Sequence, residues 1–472
     1  MKGAKKYSTS CLGDKRLESR YRSVLRHLSA QMNATVPQAN LEWKAIKGTY
    51  RLWDNEKVTP EGQLALHFQD IISSLPPSKE RPLRVLQISD TVELNYTRHR
   101  CAKHLGPLKY IKHRGLHLHN SLLVSEQGQP LGVLKQTFHI RKDEKLGKSL
   151  ERLHEPIQDK ESARWLDHFD CGQTFSQTQG LEVVYVADRE ADILELFAQR
   201  STPGMHFLIR SNHDRKLHDG QSNLGPTVDG WASQGTYQTQ VFCSTSKKWR
   251  TAKLEIRFGA VVVKLKNPLP HKQHLPPIAL NVVDILEVPA KQDQEHTIHW
   301  RLLTSLDVKS FQDAVQICRY YVLRWIIERF HFILKSGGAS VEKLQLALPH
   351  RLKNAITTYS IAAMDALQLR YYCDTDPDQT IDQIGIDDLS HKVLYTYVEK
   401  RLNLDVHYDP ESPPTVKQFC ITLGRIGGFL PSKRQPVPGI IILTRALERL
   451  KTLVDAYITF SMNFFSITQN LF

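Results

Sequence analysis

The sequence predicts an α/β fold: a mixed-sheet core preceded by a helical region, interrupted by a β-rich stretch and followed by a helical tail. Three observations predict it. Helical spacing of apolar residues governs the first 75 positions, short strand-like apolar runs take over after Pro76 and Pro77, and helical spacing returns from about Phe311. The expected division is a helical domain over 1–75, a core made of 76–210 and 297–370, a β-rich insertion over 211–296, and a helical C-terminal region over 371–472.

Asp14 is an expected helix cap, followed by Leu17, Tyr21, Val24, Leu25 and Leu28 on one face. Trp43, Ile46 and Tyr50 mark a second helix. Thr59 and Pro60 open a third, through Leu64, Phe68, Ile71 and Ile72. Strands are expected at Val85–Ile88, Leu116–Val124, Leu131–Leu134 and Val183–Ala187. From about Ser211 to His296, alternating segments such as Lys253–Phe258 are separated by Gly, Pro and Lys. This stretch reads as inserted, because a strand over Ile298–Leu303 and a long helix from about Phe311 would complete the earlier sheet. Beyond Ser336 the pattern is mainly helical, with an acidic loop near Asp374–Asp388 and a helix after Gly439.

The 472 residues carry 63 Lys and Arg against 49 Asp and Glu, a formal charge of +14. The excess is concentrated. Residues 1–51 hold eleven basic and three acidic residues, a balance of +8. Leu94 to Ser125 contains no acid but carries Arg98, Arg100, Lys103, Lys109, Lys112 and Arg114. Clustered cations attract polyanions because each neutralised phosphate releases condensed counterions. The seven cysteines are scattered without a Cys-x-x-Cys pair, which fits reduced thiols in a cytoplasmic protein. Met1–Ser10 lacks the apolar stretch of a secretory leader, and the apolar runs near Val261 and Ile440 are too short to span a bilayer, so no membrane partner is expected.

The segment Arg319–Lys335 is the most informative. At about 100° per residue, Tyr321, Arg324, Glu328 and Lys335 share one narrow arc of a single helix, while Phe311, Val315, Cys318, Val322, Ile326 and Ile333 form an apolar arc. A narrow polar stripe on a mostly apolar helix fits the lining of a cleft, although an ordinary amphipathic helix has the same pattern. An acid flanked by cations and a phenol can hold a metal and a phosphate together. Asp90 follows the Val85–Ile88 run, and Asp188 ends Val183–Ala187 and opens a helical turn, Asp-Arg-Glu-Ala-Asp192. Alone, either Asp reads equally as a cap or turn residue. Together with Glu328, the two offer hard oxygen ligands to Mg²⁺ or Mn²⁺.

At these residues the chain resembles the bacterial cut-and-paste insertion-sequence transposases of the acid-triad (DDE) type, within the insertion sequence 4 family. The matches are Ile88-Ser-Asp-Thr91, Asp188–Asp192 and the spacing Tyr-x2-Arg-x3-Glu-x6-Lys met by Tyr321, Arg324, Glu328 and Lys335. The resemblance implies an RNase H-like core and a DNA transposase, active in DNA recombination, with Asp90, Asp188 and Glu328 as catalytic acids holding two Mg²⁺ ions. It further implies Tyr321, Arg324 and Lys335 on the DNA backbone, Trp300 stacked on a flipped base during hairpin formation, and Arg210 near the DNA ends. Arg16, Arg20, Lys47 and Arg51 would contact phosphates at the transposon end. The implied partners are double-stranded DNA (the terminal inverted repeats and the target) and a second copy of the chain, in a homodimeric synaptic complex in the bacterial cytoplasm, at the nucleoid. Arg329 departs from the pattern, since some relatives place a second acid there.

Two other readings stay open: a catalytically inactive DNA-binding regulator of transposition, and another RNase H-like nuclease. His113, His117 and His119 are close in sequence, but 117 and 119 alternate as on one face of a strand, and no Cys or acid completes a zinc set. Gly424–Gly428 follows no convincing strand and argues for a turn or helix packing.

Overall fold

The computed structural model describes residues 11–40, 42–75, 83–110, 112–143, 155–199, 202–219, 222–243, 248–264, 275–288, 298–433 and 435–469. Met1–Ser10 and the Pro76–Pro77 break lie outside these residues.

The N-terminal helices are α1 (Lys15–Ala30), α2 (Val36–Asn40), α3 (Trp43–Asp54) and α4 (Pro60–Ser74). Asp14 caps α1 by accepting the Arg16 N–H at 2.7 Å, and Thr59 caps α4 by accepting the Gly62 N–H at 3.1 Å ahead of Pro60. The five residues of α2 are too few to show a period and were not expected. Ten strands follow among the described residues: β1 (Arg84–Asn95), β2 (Gly106–Pro107), β3 (Arg114–Ser125), β4 (Pro130–His139), β5 (Glu182–Ala187), β6 (Met205–Arg210), β7 (Gly235–Cys243), β8 (Lys248–Val263), β9 (Ile278–Glu287) and β10 (His299–Thr304). Between and after them lie α5 (Ala163–Gln179), α6 (Leu194–Ala198), α7 (Leu224–Asp229), α8 (Phe311–Val322), α9 (Trp325–Phe332), α10 (Pro349–Thr375), α11 (Asp388–Leu402), α12 (Val416–Ile426) and α13 (Ile440–Gln469).

All ten strands share one mixed sheet. Its order is β2-β3-β1-β5-β6-β10-β9-β8-β7, with β4 on β3. β1 is antiparallel to β3 and parallel to β5, β6 runs parallel to β5, and β10 returns antiparallel to β6. β10 therefore lies in the same sheet as the earlier strands. The strands of the 211–296 stretch extend that same sheet as an antiparallel meander beyond β10.

Alternation assigns the two faces. Leu86, Ile88, Leu94, Val184, Val186 and Leu208 point to the face covered by α10 and the N-terminal helices. Val85, Val183, Tyr185, Phe207 and Ile209 point to the other, against Trp165, Phe169 and Phe175 of α5. With both faces covered, the central strands read as nearly continuous apolar runs. The long α10 is buried around most of its circumference and ties the N-terminal helices to the core. The Trp53 indole N–H donates to Thr358 Oγ1 at 3.1 Å, and the Asn354 amide donates to the Trp53 and Val58 carbonyls. The C-terminal helices enclose their own cluster, including Leu394, Phe419, Leu423 and Leu443.

Two expectations need correction. β1 does not stop at Ile88 but runs through to Asn95, so Asp90 lies inside a strand rather than beyond its end. Pairing with β3 as far as Asn95↔Gly115 carries the strand across the polar stretch 89–93. The segment Phe311–Lys335 is also not one helix. Backbone bonds from Arg324 to Tyr321 and from Ile327 to Arg324, each one residue tighter than α-helical, separate α8 from α9, and a π turn spans Ile333–Gly337. The expected apolar arc breaks with it, leaving Val322 exposed.

Candidate active site and nucleic-acid interface

The sheet register brings the two aspartates together. Ile88 on β1 lies beside Val186 on the parallel β5, and two residues further along each chain stand Asp90 and Asp188. Neighbouring strands sit about 4.8 Å apart. Asp90 Oδ1 accepts the Thr91 N–H at 2.7 Å, and Asp188 Oδ1 accepts the Glu190 N–H at 2.9 Å as cap of the turn Arg189–Ala191.

Glu328 comes from α9, which crosses this face. The Arg324 guanidinium joins it to β1, donating through Nη1 to Asp90 Oδ2 at 3.2 Å and through Nη2 to Glu328 Oε1 at 3.2 Å. One turn beyond Glu328, His331 anchors the helix: Asn120, paired with Asp90 across the ladder, donates its amide to His331 Nε2 at 2.9 Å. Asn120 Oδ1 in turn accepts from Gln136 at 2.8 Å. Burial pushes the His331 imidazole down to about 3, so it is a neutral acceptor.

The electrostatics are those of crowded carboxylates. Burial raises Asp90 to about 7, and the negative charges of Asp188 and Glu328 add to the effect, against the opposing Arg324 guanidinium and Thr91 N–H. The ion pair with Arg324 and the burial of the carboxylate oppose each other, and burial wins because the Asp90 side chain is only 15% exposed. Among the described residues, no three His, Cys, Asp or Glu side chains converge closely enough to hold a metal ion. Arg324 accounts for this at Asp90 and Glu328, since its guanidinium occupies the space between them. The donor set itself fits a hard divalent cation: three acids, one held largely out of water, whose mutual repulsion such an ion would relieve.

Beside Asp188, three more expected residues meet. Arg210, at the end of β6, donates to the His299 carbonyl at 2.8 Å, and its charge lies close to the Tyr321 hydroxyl. Burial raises Tyr321 above its ordinary value, with Arg324 and Arg210 opposing. The Trp300 ring stands edge-on to Tyr321, with centroids 5.3 Å apart. Lys335 lies further along β1, donating to the Glu93 carbonyl at 2.8 Å and facing Glu342 Oε1 at 3.4 Å. Arg329 turns away to Asp374 at 3.5 Å.

Arg16, Arg20, Lys47 and Arg51 are exposed on α1 and α3. Arg20 Nη1 would lie 3.1 Å from a Cβ placed on Gly48, so cations of both helices share one surface, and Lys47 rests over the Trp43 ring at 4.8 Å. His117 and His119 share one sheet face, as expected. His117 meets Glu93 at 3.1 Å and His119 meets Thr91 at 2.8 Å.

Sequence reasoning missed Arg164, which donates to Thr91 Oγ1 at 3.2 Å and to Glu190 at 2.8 Å, linking the neighbours of both aspartates. Nothing in its local pattern marks it. It also missed Trp325, 56% exposed with the Arg324 guanidinium 5.2 Å from its ring centre. An aromatic next to the stripe residues was a signal there to use.

A mixed α/β protein with one acid inside β1, a second just past the end of the parallel β5, and a cationic helical surface is the class that fold and site define. Residues 4–58 match the transposase DNA-binding family, which supports a transposase with DNA as its partner. The match covers the α1–α3 surface that presents Arg16, Arg20, Lys47 and Arg51. Among the described residues, no helix is long and apolar enough to cross a membrane.

Proposed function

We propose that this chain is a DDE-type DNA transposase of the insertion sequence 4 family, cutting and rejoining DNA by phosphoryl transfer at Asp90, Asp188 and Glu328. The observation that carries the reading is the register that sets Asp90 beside Asp188, with Glu328 joined to Asp90 through Arg324. The order of three antiparallel strands followed by two parallel ones supports an RNase H-like core. Two Mg²⁺ ions, or Mn²⁺, held by the three carboxylates would supply Lewis acidity to the attacking and leaving oxygens.

The chain's own groups do the rest. Cations of α1 and α3 hold the element end by its phosphates. Arg324, Tyr321 and Lys335 fix the strand to be cut, with Arg324 exchanging carboxylate partners for a phosphate. Water first hydrolyses one strand at the element end and frees its 3′-hydroxyl; Trp300, beside Tyr321, offers a ring face to the base displaced when that hydroxyl attacks the opposite strand, closing a hairpin and expelling the flank. Water then reopens the hairpin, and the same hydroxyl attacks target DNA. A homodimer would hold two ends. The test is Mg²⁺-dependent nicking of DNA carrying the element end. Cutting is expected with the natural chain and lost in Asp90→Ala and Glu328→Ala; cutting that survives both changes would overturn the assignment.

A further inference from the structure

Five cations on the connection between β1 and β3 have no part in the reading above: Arg98, Arg100, Lys103, Lys109 and Lys112. All are exposed, and among the described residues no acid pairs with them. Their neighbour Arg114 does pair, with Asp143 at 2.7 Å. No acid occurs from Leu94 to Ser125 to offset them, and Tyr110, 68% exposed, stands among them. Five solvated like charges in fifteen positions repel one another, a cost that a polyanion removes.

The connection is built rather than loose. Cys101, Leu105 and Leu108 are buried beneath it. Tyr96 donates to the Val341 carbonyl at 2.9 Å, the Lys109 N–H to Glu93 at 2.9 Å, and the Arg114 N–H to Thr97 Oγ1 at 2.9 Å. Its base adjoins the site. Glu342, which faces Lys335, also accepts the Asn95 N–H at 2.7 Å. Asp90 to Asn95 is five strand residues, about 17 Å at ~3.3 Å each. Along a duplex at ~3.4 Å per step that is about five nucleotides.

We propose that this connection is a second duplex-binding surface, holding phosphates of the flanking DNA from about five nucleotides beyond the scissile bond. The inference rests on the transposase reading. Because the family-matched N-terminal cations account for the element end, the DNA left for this surface before any target is engaged is the flank, which is joined to the end across the cut.

The test uses the full-length chain without divalent metal, and two duplexes: the element end with a flank, and the same end stopping at the cleavage point. The variants are Arg98→Gln with Arg100→Gln and Lys103→Gln, and separately Lys109→Gln with Lys112→Gln. Expected is weaker binding of the flanked duplex alone, with the slope of log affinity against log salt reduced by about 0.9 per lost contact, hence by up to about 2.7 for the triple variant. An unchanged slope on the flanked duplex overturns the proposal, and equal loss on both duplexes reassigns the surface to the element end and overturns it as stated. Failure of the underlying reading is distinguishable, because the natural chain would then not nick end DNA in Mg²⁺. All five side chains are exposed, so unchanged melting temperatures are expected and serve as the folding control.

Discussion

Asp90→Asn is expected to stabilise the metal-free protein, by an amount that grows as pH rises from about 4 and levels off above about 7. In the folded chain Asp90 ionises near 7 instead of 3.8, because burial and the Asp188 charge oppose its carboxylate. Between those two values the folded protein holds a proton that the unfolded chain has released. The resulting stabilisation is whole below 3.8 and is lost as pH rises through 7. At pH 8 the folded chain must keep an ionised Asp90, a cost of about 4 kcal/mol at ~1.4 kcal/mol for each tenfold change in the proton equilibrium. Asn keeps the shape of the protonated acid without that cost. That cost is already net of the Arg324 attraction, which opposes the rise and which the Asn variant gives up while Arg324 keeps Glu328. Denaturation in EDTA from pH 4 to 8.5 should show the two proteins converging at the acid end and the Asn variant ahead at the alkaline end. An offset independent of pH, or an Asn variant less stable at pH 8, would refute the reasoning. Added Mg²⁺ should narrow the gap by stabilising the natural chain more than the variant.

Arg324→Gln should tighten Mn²⁺ binding to the DNA-free protein by about tenfold, since roughly 1.4 kcal/mol of competing charge leaves the space between Asp90 and Glu328, while nicking falls; paramagnetic resonance of free Mn²⁺ reads the affinity. Trp300→Ala should retain first-strand nicking and lose hairpin product by about 5- to 150-fold, the equivalent of the 1–3 kcal/mol of a stacked base, as resolved on denaturing gels. Gly132→Ala should lower stability by about 1–3 kcal/mol in denaturant melts, because its Cβ would sit 2.2 Å from Ile71 Cδ1 and 2.6 Å from His67 Nε2 where α4 packs on β4.

How legible the site was depended on distance along the chain. Asp188 was readable as the residue that ends an apolar run and opens a turn, and it caps that turn in the fold. The contact between Arg324 and Glu328 was readable because four residues separate them on helical backbone. Asp90 was identified with the wrong backbone setting: its strand continues through polar positions that only pairing with β3 makes extended. Lys335 reaches Glu93 and Glu342 from a π turn that no hydrophobic period announces. Arg164 and the Asn120–His331 contact gave no warning, since each joins elements remote in the chain.

The sequence by itself determined the caps of α1 and α4, the strand-rich middle, the concentration of cations at the N-terminus and between β1 and β3, and which acids are candidates for the site. Those features depend on backbone geometry and charge within a turn or two of each residue. Only the tertiary structure decided that Asp90 and Asp188 stand side by side, that a guanidinium separates Asp90 from Glu328, and that β7 to β9 lengthen the core sheet. Strand register and helix crossing are set by burying apolar faces against partners far away in the chain, and a local pattern carries no record of which partner wins.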